Sequence, residues 1–338
     1  MTKRAYYRPL IEGPGGGGLP LAGGWARFST VERRKRDGSV ERLPADQLSE
    51  DVLNRLTRAR APLWPGMAMD RPQIMGILNT TPDSFSDGGA FLSPQDALAQ
   101  GHAMAHDGAD LIDIGGESTR PGADPVSVDE ERARIRPVVE GLRRGLPQMP
   151  LSIDTRKPHL AAEMLKLGAH LYNDVSALSY DLKAGLEILK TTDAPICLMH
   201  SSATPDVMQS HTSYEDVVLD VYDWLETKVD ALEAEGIART RMVLDPGIGF
   251  GKTLEQNLAL LHNLSLFHGL GCPLLLGASR KRFIGTLTNA PTAQERLAGS
   301  LAVALEAARQ GVHILRVHDV RQTAQALTLW AAIERQQQ

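Results

Sequence analysis

The sequence predicts an α/β protein, a (β/α)8 TIM barrel preceded by a small N-terminal extension made of a hairpin and a short helix. After about residue 70, eight apolar runs of strand length alternate with amphipathic segments of helix length. Strict alternation of strand and helix indicates a parallel sheet, and eight such units in about 265 residues favour a closed barrel over an open sheet. We therefore expect two regions, the extension over residues 1–70 and the barrel over residues 71–338.

The predicted barrel elements follow one another along the chain. The strands are the apolar runs at 74–79, 111–116, 150–155, 171–174, 195–200, 242–247, 273–279 and 313–319. The helices are the amphipathic segments at about 93–107, 127–145, 157–168, 181–191, 213–236, 253–270, 292–311 and 320–335. An open dinucleotide-binding sheet would instead require G-x-G-x-x-G after its first strand. Gly247, Gly249 and Gly251 follow the sixth strand without that spacing, which excludes the motif.

The first 70 residues differ from the barrel in composition. Gly13 and Gly15–Gly18 predict a flexible lead. Two strand-like runs then flank Asp37-Gly38, a pair that favours a type I′ hairpin turn. The segment 45–59 has apolar residues at helical spacing, which predicts a short amphipathic helix. We assign this extension a packing role and expect that its deletion spares the chemical step.

Composition and charge exclude several classes of partner. The net charge is -5 and the pI about 6.1, with basic residues dispersed along the chain, so we expect no nucleic acid partner. No apolar run approaches the roughly 18 residues that span a membrane, and the N-terminus lacks the apolar core of a signal peptide. Cys197 and Cys272 lie beside apolar runs, a pattern typical of buried reduced thiols. We therefore expect a cytoplasmic protein.

Polar residues stand where almost every predicted strand ends. They are Asn79, Glu117 to Arg120, Asp154, Thr155, Asn173, Asp174, His200 after Met199, Asp245, Ser279 to Lys281, Arg316, His318 and Asp319. In a TIM barrel the carboxyl ends of the strands meet at one mouth, where catalytic residues lie. Any single Asp or Asn here could be a helix cap. Their coincidence on successive strands instead predicts a site for a substrate with a hydrogen-bonding ring and an anionic tail.

Two segments carry a resemblance to a known family. Ile74 to Gly89 reads I-M-G-I-L-N-T-T-P-D-S-F-S-D-G-G, and Leu111 to Gly122 reads L-I-D-I-G-G-E-S-T-R-P-G. Both closely resemble the signature segments of the bacterial dihydropteroate synthases, and the resemblance extends over about residues 74–320. It implies condensation of (7,8-dihydropterin-6-yl)methyl diphosphate with 4-aminobenzoate, giving 7,8-dihydropteroate and diphosphate by a dissociative displacement. It also implies Mg²⁺ as cofactor, a homodimer and binding of sulfonamides that mimic aminobenzoate.

The resemblance further implies roles for individual residues. By its motifs, the pterin would be bound by Asp154, Asn173, Met199, Asp245, Phe250, Lys281 and Arg316. The diphosphate would be bound by Asn79, Arg120, Arg316 and His318, with Asn79 also a ligand of Mg²⁺. Aminobenzoate would contact Phe85, Ser118, Thr119, Pro121 and Ser279. The catalytic set implied is Asn79, Arg120, Lys281, Arg316 and His318.

Two alternatives differ in the chemistry they require. A pterin-binding methyltransferase barrel would need the ring-binding Asp and Asn but no diphosphate site, and Ser279-Arg280-Lys281 with Arg316 and His318 argues against it. A noncatalytic pterin-binding paralogue would be expected to have lost some polar strand ends. The departures from the family pattern are Ser201-Ser202-Ala203 and Arg156, which bear on the fine shape of the fifth loop and not on the chemistry.

Overall fold

The extension forms a small antiparallel sheet of its own. The computed structural model describes residues 4–12, 17–81, 93–118, 125–202 and 212–335. The strands of the extension are β1 (Tyr6–Ile11), β2 (Leu19–Pro20), β3 (Arg27–Arg34) and β4 (Val40–Pro44), followed by helix α1 (Glu50–Thr57). Strand β3 is central, because it pairs with each of the other three. Phe28 and Val31 of β3 are fully buried and, with Leu56 of α1, form the core of this unit.

The remainder of the chain is a closed parallel barrel. Its strands are β5 (Gln73–Asn79), β6 (Leu111–Gly115), β7 (Leu151–Asp154), β8 (Leu171–Asp174), β9 (Ile196–Met199), β10 (Met242–Asp245), β11 (Leu275–Leu276) and β12 (Ile314–Val317). Their order is β10-β9-β8-β7-β6-β5-β12-β11, and a bridge between Leu244 and Leu274 joins the two ends. The strands are apolar because both faces are buried, one inside the barrel and one under the helices.

The helices cover the barrel in the order expected for repeated βα units. They are α2 (Pro94–His106), α3 (Val128–Gly145), α4 (Pro158–Lys166), α5 (Leu182–Thr191), α6 (Val217–Ala234), α7 (Leu254–His262), α8 (Arg282–Thr288), α9 (Leu297–Arg309) and α10 (Val320–Arg335). The local sequence determines where two of these helices begin. Ser93 with Asp96, and Thr253 with Gln256, form capping boxes that satisfy free N–H groups at the first turns of α2 and α7. Over the described ranges, every helix is too short or too polar to cross a membrane.

The predicted fold class, (β/α)8 barrel, is confirmed, and all eight predicted strands are present. The hairpin around Asp37-Gly38 is also present, but the type I′ turn is wrong. Gly38 has φ 83° while Asp37 keeps a negative φ, and the Gly38 N–H donates to the Lys35 carbonyl at 3.0 Å. This is the pattern of a three-residue loop ending in a left-handed glycine. Strands β1 and β2 and helix α8 were not predicted from the sequence.

The last part of the extension closes the bottom of the barrel, where the strands begin. Leu63, Trp64 and Met67 are buried in one cluster with apolar residues at the starts of the strands. Those strand residues are Met75, Leu111, Leu171, Cys197, Val243, Leu275 and Ile314. We call Leu63, Trp64 and Met67 the bottom plug. It makes the last part of the extension a component of the barrel core.

Polar contacts hold the sheet of the extension against the outer helices. The Arg36 guanidinium donates to Asp220 and Asp223 of α6 at 2.7 and 2.6 Å, and the Tyr6 hydroxyl donates to Asp223 at 2.8 Å. On the other side, Trp25 Nε1 donates to the Ala308 carbonyl of α9 at 2.8 Å. Arg36 of the β3–β4 hairpin therefore contacts an acidic face of α6.

Candidate active site

The carboxyl ends of the barrel strands bring most of the predicted site residues together. Parallel pairing aligns Asn79 with Gly115, Gly115 with Asp154, Asp154 with Asn173, and Asp245 with Met199. Asp154, Asn173, Met199 and Asp245 are all buried, at 4 to 6% exposure. Because these residues occupy the last or next-to-last positions of neighbouring strands, they form one mouth, which we call the barrel mouth.

Arg316 of β12 bridges two carboxylates across the barrel mouth. Its Nε donates to Asp113 Oδ2 at 2.6 Å, and its Nη2 donates to Asp154 Oδ2 at 2.7 Å. Burial raises the pKa of Asp154 to about 7, although the charge of Arg316 opposes that shift. Burial likewise disfavours the charge of Arg316, but Asp113 and Asp154 together raise its pKa above the ordinary value. The guanidinium plane is thus fixed by two bonds before any ligand binds.

Asp113 is a site residue to which the sequence analysis gave no role. It lies in the middle of β6, is fully buried, and accepts from Arg316 and from Asn173 Nδ2, the latter at 3.1 Å. Its Oδ1 has no hydrogen-bond partner within the described part of the chain. The signal was a carboxylate inside the apolar run L-I-D-I-G. A buried acceptor without a partner at this position is a candidate for bonding to a ligand.

Asp245 and Lys281 lie on the opposite side of the mouth. Asp245 Oδ1 accepts from the Gly247 N–H at 2.7 Å. Burial raises the pKa of Asp245, and the neighbouring ammonium of Lys281 acts against that shift. A Cβ built on Gly277 would lie 3.7 Å from Asp245 Oδ2, so the glycine leaves the space beside this oxygen open.

Lys281 is held over the loop that follows β10. Its Nζ lies 4.2 Å from the centre of the Phe250 ring and donates to the Ile248 carbonyl. Burial lowers the pKa of Lys281 to about 7, while Asp245 acts to raise it. Phe250 therefore contacts a predicted site residue and is half-buried at the mouth, the position expected for an apolar wall.

The structure describes only some of the residues assigned to the diphosphate and to aminobenzoate. His318 Nδ1 lies 3.1 Å from Ser279 Oγ, which also accepts from the His318 N–H at 3.2 Å. A Cβ on Gly115 would lie 3.6 Å from Asn79 Oδ1 and 3.5 Å from Asp154 Oδ2, so Gly115 leaves space between these oxygens. Ser118 is half-buried. Phe85, Thr119, Arg120 and Pro121 lie outside the described residues, and their roles stay predictions.

Arg156, identified from the sequence as a departure from the family pattern, has a clear set of contacts. Its Nε and Nη2 donate to both carboxylate oxygens of Glu117, at 3.0 and 3.1 Å. Glu117 also accepts from the Val126 N–H at 2.9 Å. Burial acts to raise the pKa of Glu117, but the bond from Arg156 and its other partners lower it overall. Arg156 thus fixes Glu117 just before the signature residues Ser118 and Thr119.

The barrel mouth combines fixed carboxylates, one fixed guanidinium and a half-buried ammonium beside an aromatic ring. Carboxylate oxygens accept from the N–H groups of a heterocycle, and Lys281 can donate to a carbonyl. Arg316 and His318 can donate to an anion. These groups favour binding and charge stabilisation over covalent catalysis.

Comparison with known proteins agrees with this chemistry. The chain matches the pterin binding enzyme family over residues 75–318. The dihydropteroate synthase of Escherichia coli strain K12 is 47% identical over 259 residues, which are 77% of this chain and 90% of that relative.

Two solved structures are similar over the same region. The dihydropteroate synthase of Xanthomonas albilineans with 4-aminobenzoic acid has a TM-score of 0.73 and 45% identity, covering 79% of this chain and 94% of that one. The enzyme from the same organism in complex with 7,8-dihydropteroate has a TM-score of 0.71 and 42% identity, covering 80% of this chain and 97% of that one. The chain therefore belongs to the dihydropteroate synthases of the pterin binding enzyme family.

Proposed function

We propose that the chain condenses (7,8-dihydropterin-6-yl)methyl diphosphate with 4-aminobenzoate to give 7,8-dihydropteroate and diphosphate. The observation that carries this proposal is the placement of Asp154, Asn173, Asp245, Lys281 and Arg316 around one barrel mouth. Relatives whose structures contain 4-aminobenzoic acid and 7,8-dihydropteroate support both the second substrate and the product.

The pterin ring would bind edge-on between the two sides of the mouth. Its amino-pyrimidinone edge presents two adjacent N–H donors, which suit the carboxylate of Asp245 with its open Oδ2, and the unpartnered Oδ1 of Asp113 would accept from a further ring N–H. The Lys281 ammonium would donate to the ring carbonyl. The planar Arg316 guanidinium, held in one orientation by Asp113 and Asp154, would lie against the ring face.

The displacement we propose is dissociative. The bond between the methylene carbon and the diphosphate oxygen breaks first, and its electron pair leaves with the diphosphate. The reduced pterin delocalises the positive charge on the methylene carbon. The amine nitrogen of aminobenzoate then forms the new C–N bond and releases a proton to solvent. Because this amine is neutral at pH 7, the step requires positioning and charge stabilisation but no strong base.

Arg316 and His318 supply the charge stabilisation on the protein side. Both can donate to diphosphate oxygens, and charge-assisted bonds of this kind are about twice as strong as neutral ones. Ser279 fixes His318 through two contacts, at 3.1 and 3.2 Å. Arg120 would add a further cation from the second signature segment.

Asn79 is the residue that we propose holds Mg²⁺. Magnesium prefers oxygen ligands and commonly keeps waters and substrate phosphates in its shell, so one protein oxygen is sufficient. The Asn79 carboxamide fits, because Gly115 leaves space beside its Oδ1. The described residues contain no cluster of three acidic, histidine or cysteine side chains that could hold the ion alone. Mg²⁺ would neutralise part of the diphosphate charge.

We also propose a homodimer in a reducing cytoplasm. Leu329 and Ile333 lie one turn apart on α10 and are 64% and 55% exposed, an apolar pair that a second copy could cover. Cys197 and Cys272 are both buried free thiols, as expected of a protein in a reducing compartment. Light scattering of the wild type and of Leu329→Glu would test the dimer, which the substitution should dissociate.

A turnover assay tests the proposed function. The purified chain is incubated with the pterin diphosphate, 4-aminobenzoate and Mg²⁺, and 7,8-dihydropteroate is measured by chromatography. We expect product at a rate proportional to enzyme concentration, and none when aminobenzoate is omitted. Pterin binding without product would instead support the noncatalytic paralogue.

A further inference from the structure

Lys252 is a buried lysine to which neither the sequence analysis nor the proposed mechanism gives a role. It is 5% exposed, and its Nζ has three close acceptors. These are the carbonyls of Gly247 and Phe250, both at 2.9 Å, and His200 Nδ1 at 3.0 Å. Burial lowers the pKa of Lys252 to about 7, and in the ammonium form this set satisfies all three N–H groups.

The acceptors belong to two different elements. Gly247 and Phe250 lie in the loop between β10 and α7, whereas His200 directly follows β9. The loop approaches His200 so closely that a Cβ on Gly247 would lie 1.8 Å from the His200 carbonyl oxygen. Gly247 also has φ 69°, a conformation that favours glycine. Lys252 thus ties a tight glycine-rich loop to the end of the neighbouring strand.

The same loop supplies the contacts of Lys281. Its Ile248 carbonyl accepts from Lys281 Nζ, and its Phe250 ring lies 4.2 Å from that nitrogen. Lys252 and Lys281 therefore hold the loop at different atoms, Lys252 at the carbonyls of Gly247 and Phe250 and Lys281 at Ile248. A change in the loop would move both the proposed apolar wall and the carbonyl that orients Lys281.

His200 is suited to accept from Lys252. Burial, and after it the charge of Lys252, lower the pKa of His200 to about 2. The imidazole is therefore neutral at pH 7, with Nδ1 free to accept when Nε2 carries the proton. The ring is fixed by an edge contact with Trp224, at 4.9 Å between centres.

We propose that Lys252 is a positioning residue that holds the loop 246–251 in the shape required for pterin binding. It acts through the placement of Phe250 and Lys281 and does not touch the substrate itself. The inference deepens the proposed function and rests on it for the identity of the ligand. It predicts that loss of Lys252 weakens pterin binding more than it slows the chemical step.

The test compares Lys252→Met with Lys190→Met, in which an exposed lysine paired with Glu235 is changed in the same way. Calorimetry with 6-hydroxymethyl-7,8-dihydropterin measures ring binding without the diphosphate. We expect affinity to fall at least tenfold in Lys252→Met and to stay within twofold of wild type in Lys190→Met. In turnover, KM for the pterin diphosphate should rise at least tenfold while kcat changes less than threefold.

Hydrogen exchange provides a readout that does not depend on substrate. The Phe250 N–H donates to the Gly247 carbonyl, and the Gly249 N–H donates to Asn257 Oδ1 at 2.6 Å. Both amides should exchange at least tenfold faster in Lys252→Met, with no change in the strand amides of β7. If Lys252→Met fails to fold, His200→Leu removes one of the three acceptors and should weaken pterin binding about threefold to tenfold.

A folded Lys252→Met with wild-type exchange in the loop, or with pterin affinity and KM within twofold of Lys190→Met, would overturn the inference. Wild-type protein that binds pterin but forms no product would contradict the proposed reaction, while the binding comparison would still decide the role of Lys252. Wild-type protein that binds no pterin would remove the ligand named here, and the exchange comparison would decide whether Lys252 holds the loop.

Discussion

The two ends of the barrel differ in what they bury. The barrel mouth contains Asp113, Asp154, Asp245, Lys281 and Arg316, while the opposite end is filled by the apolar bottom plug. Both are substantially shielded from water, but only the mouth encloses charges. Buried charges cost stability unless they are paired, whereas buried apolar groups supply it. One end of this fold is therefore organised for binding and the other for stability.

The shifted pKa values of Asp154 and Lys281 at the barrel mouth reflect this cost of burying charge. The raised pKa of Asp154, about 7, means that its contribution to stability is fully present below about pH 4 and is lost as pH rises through about 7. Lys281 has a lowered pKa, also about 7, so its contribution is present above about pH 10 and is lost as pH falls through about 7. Above about pH 7 Asp154, and below about pH 7 Lys281, is held in its charged form at a cost to the free protein. A ligand that pairs with these groups offsets that cost.

The largest effect is expected for Arg316→Met. The substitution leaves Asp113 and Asp154 buried without their common cation, and breaking such a pair costs about 3 to 5 kcal/mol. We expect lower stability in urea denaturation and more than a hundredfold loss of pterin affinity in calorimetry. Arg136→Met, which removes an exposed arginine of α3, is the matched control and should change neither. An Arg316→Met protein of wild-type stability would show that the bridge between the two carboxylates makes no net contribution to the stability of the fold.

Asp245→Asn should separate binding from stability. The amide presents one acceptor and an unwanted donor to two ring donors, so pterin affinity should fall by roughly tenfold to over a hundredfold for each bond lost. Because burial raises the pKa of Asp245, a neutral isostere should not destabilise the fold. Calorimetry and thermal unfolding measure the two quantities. Unchanged pterin affinity in the folded variant would remove Asp245 from the site.

Trp64→Ala is the corresponding change at the bottom plug. Removal of a buried tryptophan from a packed core typically costs about 3 to 5 kcal/mol. We expect that loss in the free energy of unfolding, with KM for both substrates within twofold of wild type at a temperature where the variant is folded. A large change in KM with little change in stability would show that the plug shapes the mouth.

The smallest effect is the pH dependence contributed by Lys281. The ammonium form is present below about pH 7 and is lost as pH rises through that value. The ratio of wild-type to Lys281→Met pterin affinity should therefore decrease severalfold between pH 6 and pH 9. Both proteins contain the same carboxylates, so the effect of carboxylate titration on affinity cancels in this ratio. A constant ratio over this range would show that Lys281 does not change charge there.

The barrel was predictable because buried parallel strands read as apolar runs separated by amphipathic helices. The polar strand ends Asp154, Asn173, Asp245 and Arg316 could be placed at one mouth for the same reason. Asp113 could not be assigned, because both faces of a barrel strand are buried and periodicity does not tell which one a side chain occupies. Its partner Arg316 is 203 positions away in the sequence.

The extension shows where sequence patterns carry less information. Its hairpin and helix were predicted, but Trp64 lies in an irregular segment without periodicity, and nothing local indicates that it fills a barrel. Deletion of residues 1–70, which was expected to spare the chemical step, would also remove this plug from the barrel core. Deletion of residues 1–58, which keeps Leu63, Trp64 and Met67, is the milder truncation.

The most direct test of the account is kcat/KM for the pterin diphosphate, measured side by side in Asp245→Asn and Trp64→Ala at a temperature where both are folded. We expect a loss of at least tenfold for the change at the mouth and less than twofold for the change at the plug. Similar losses in both variants, or a larger loss in Trp64→Ala, would contradict the division between a binding end and a stabilising end.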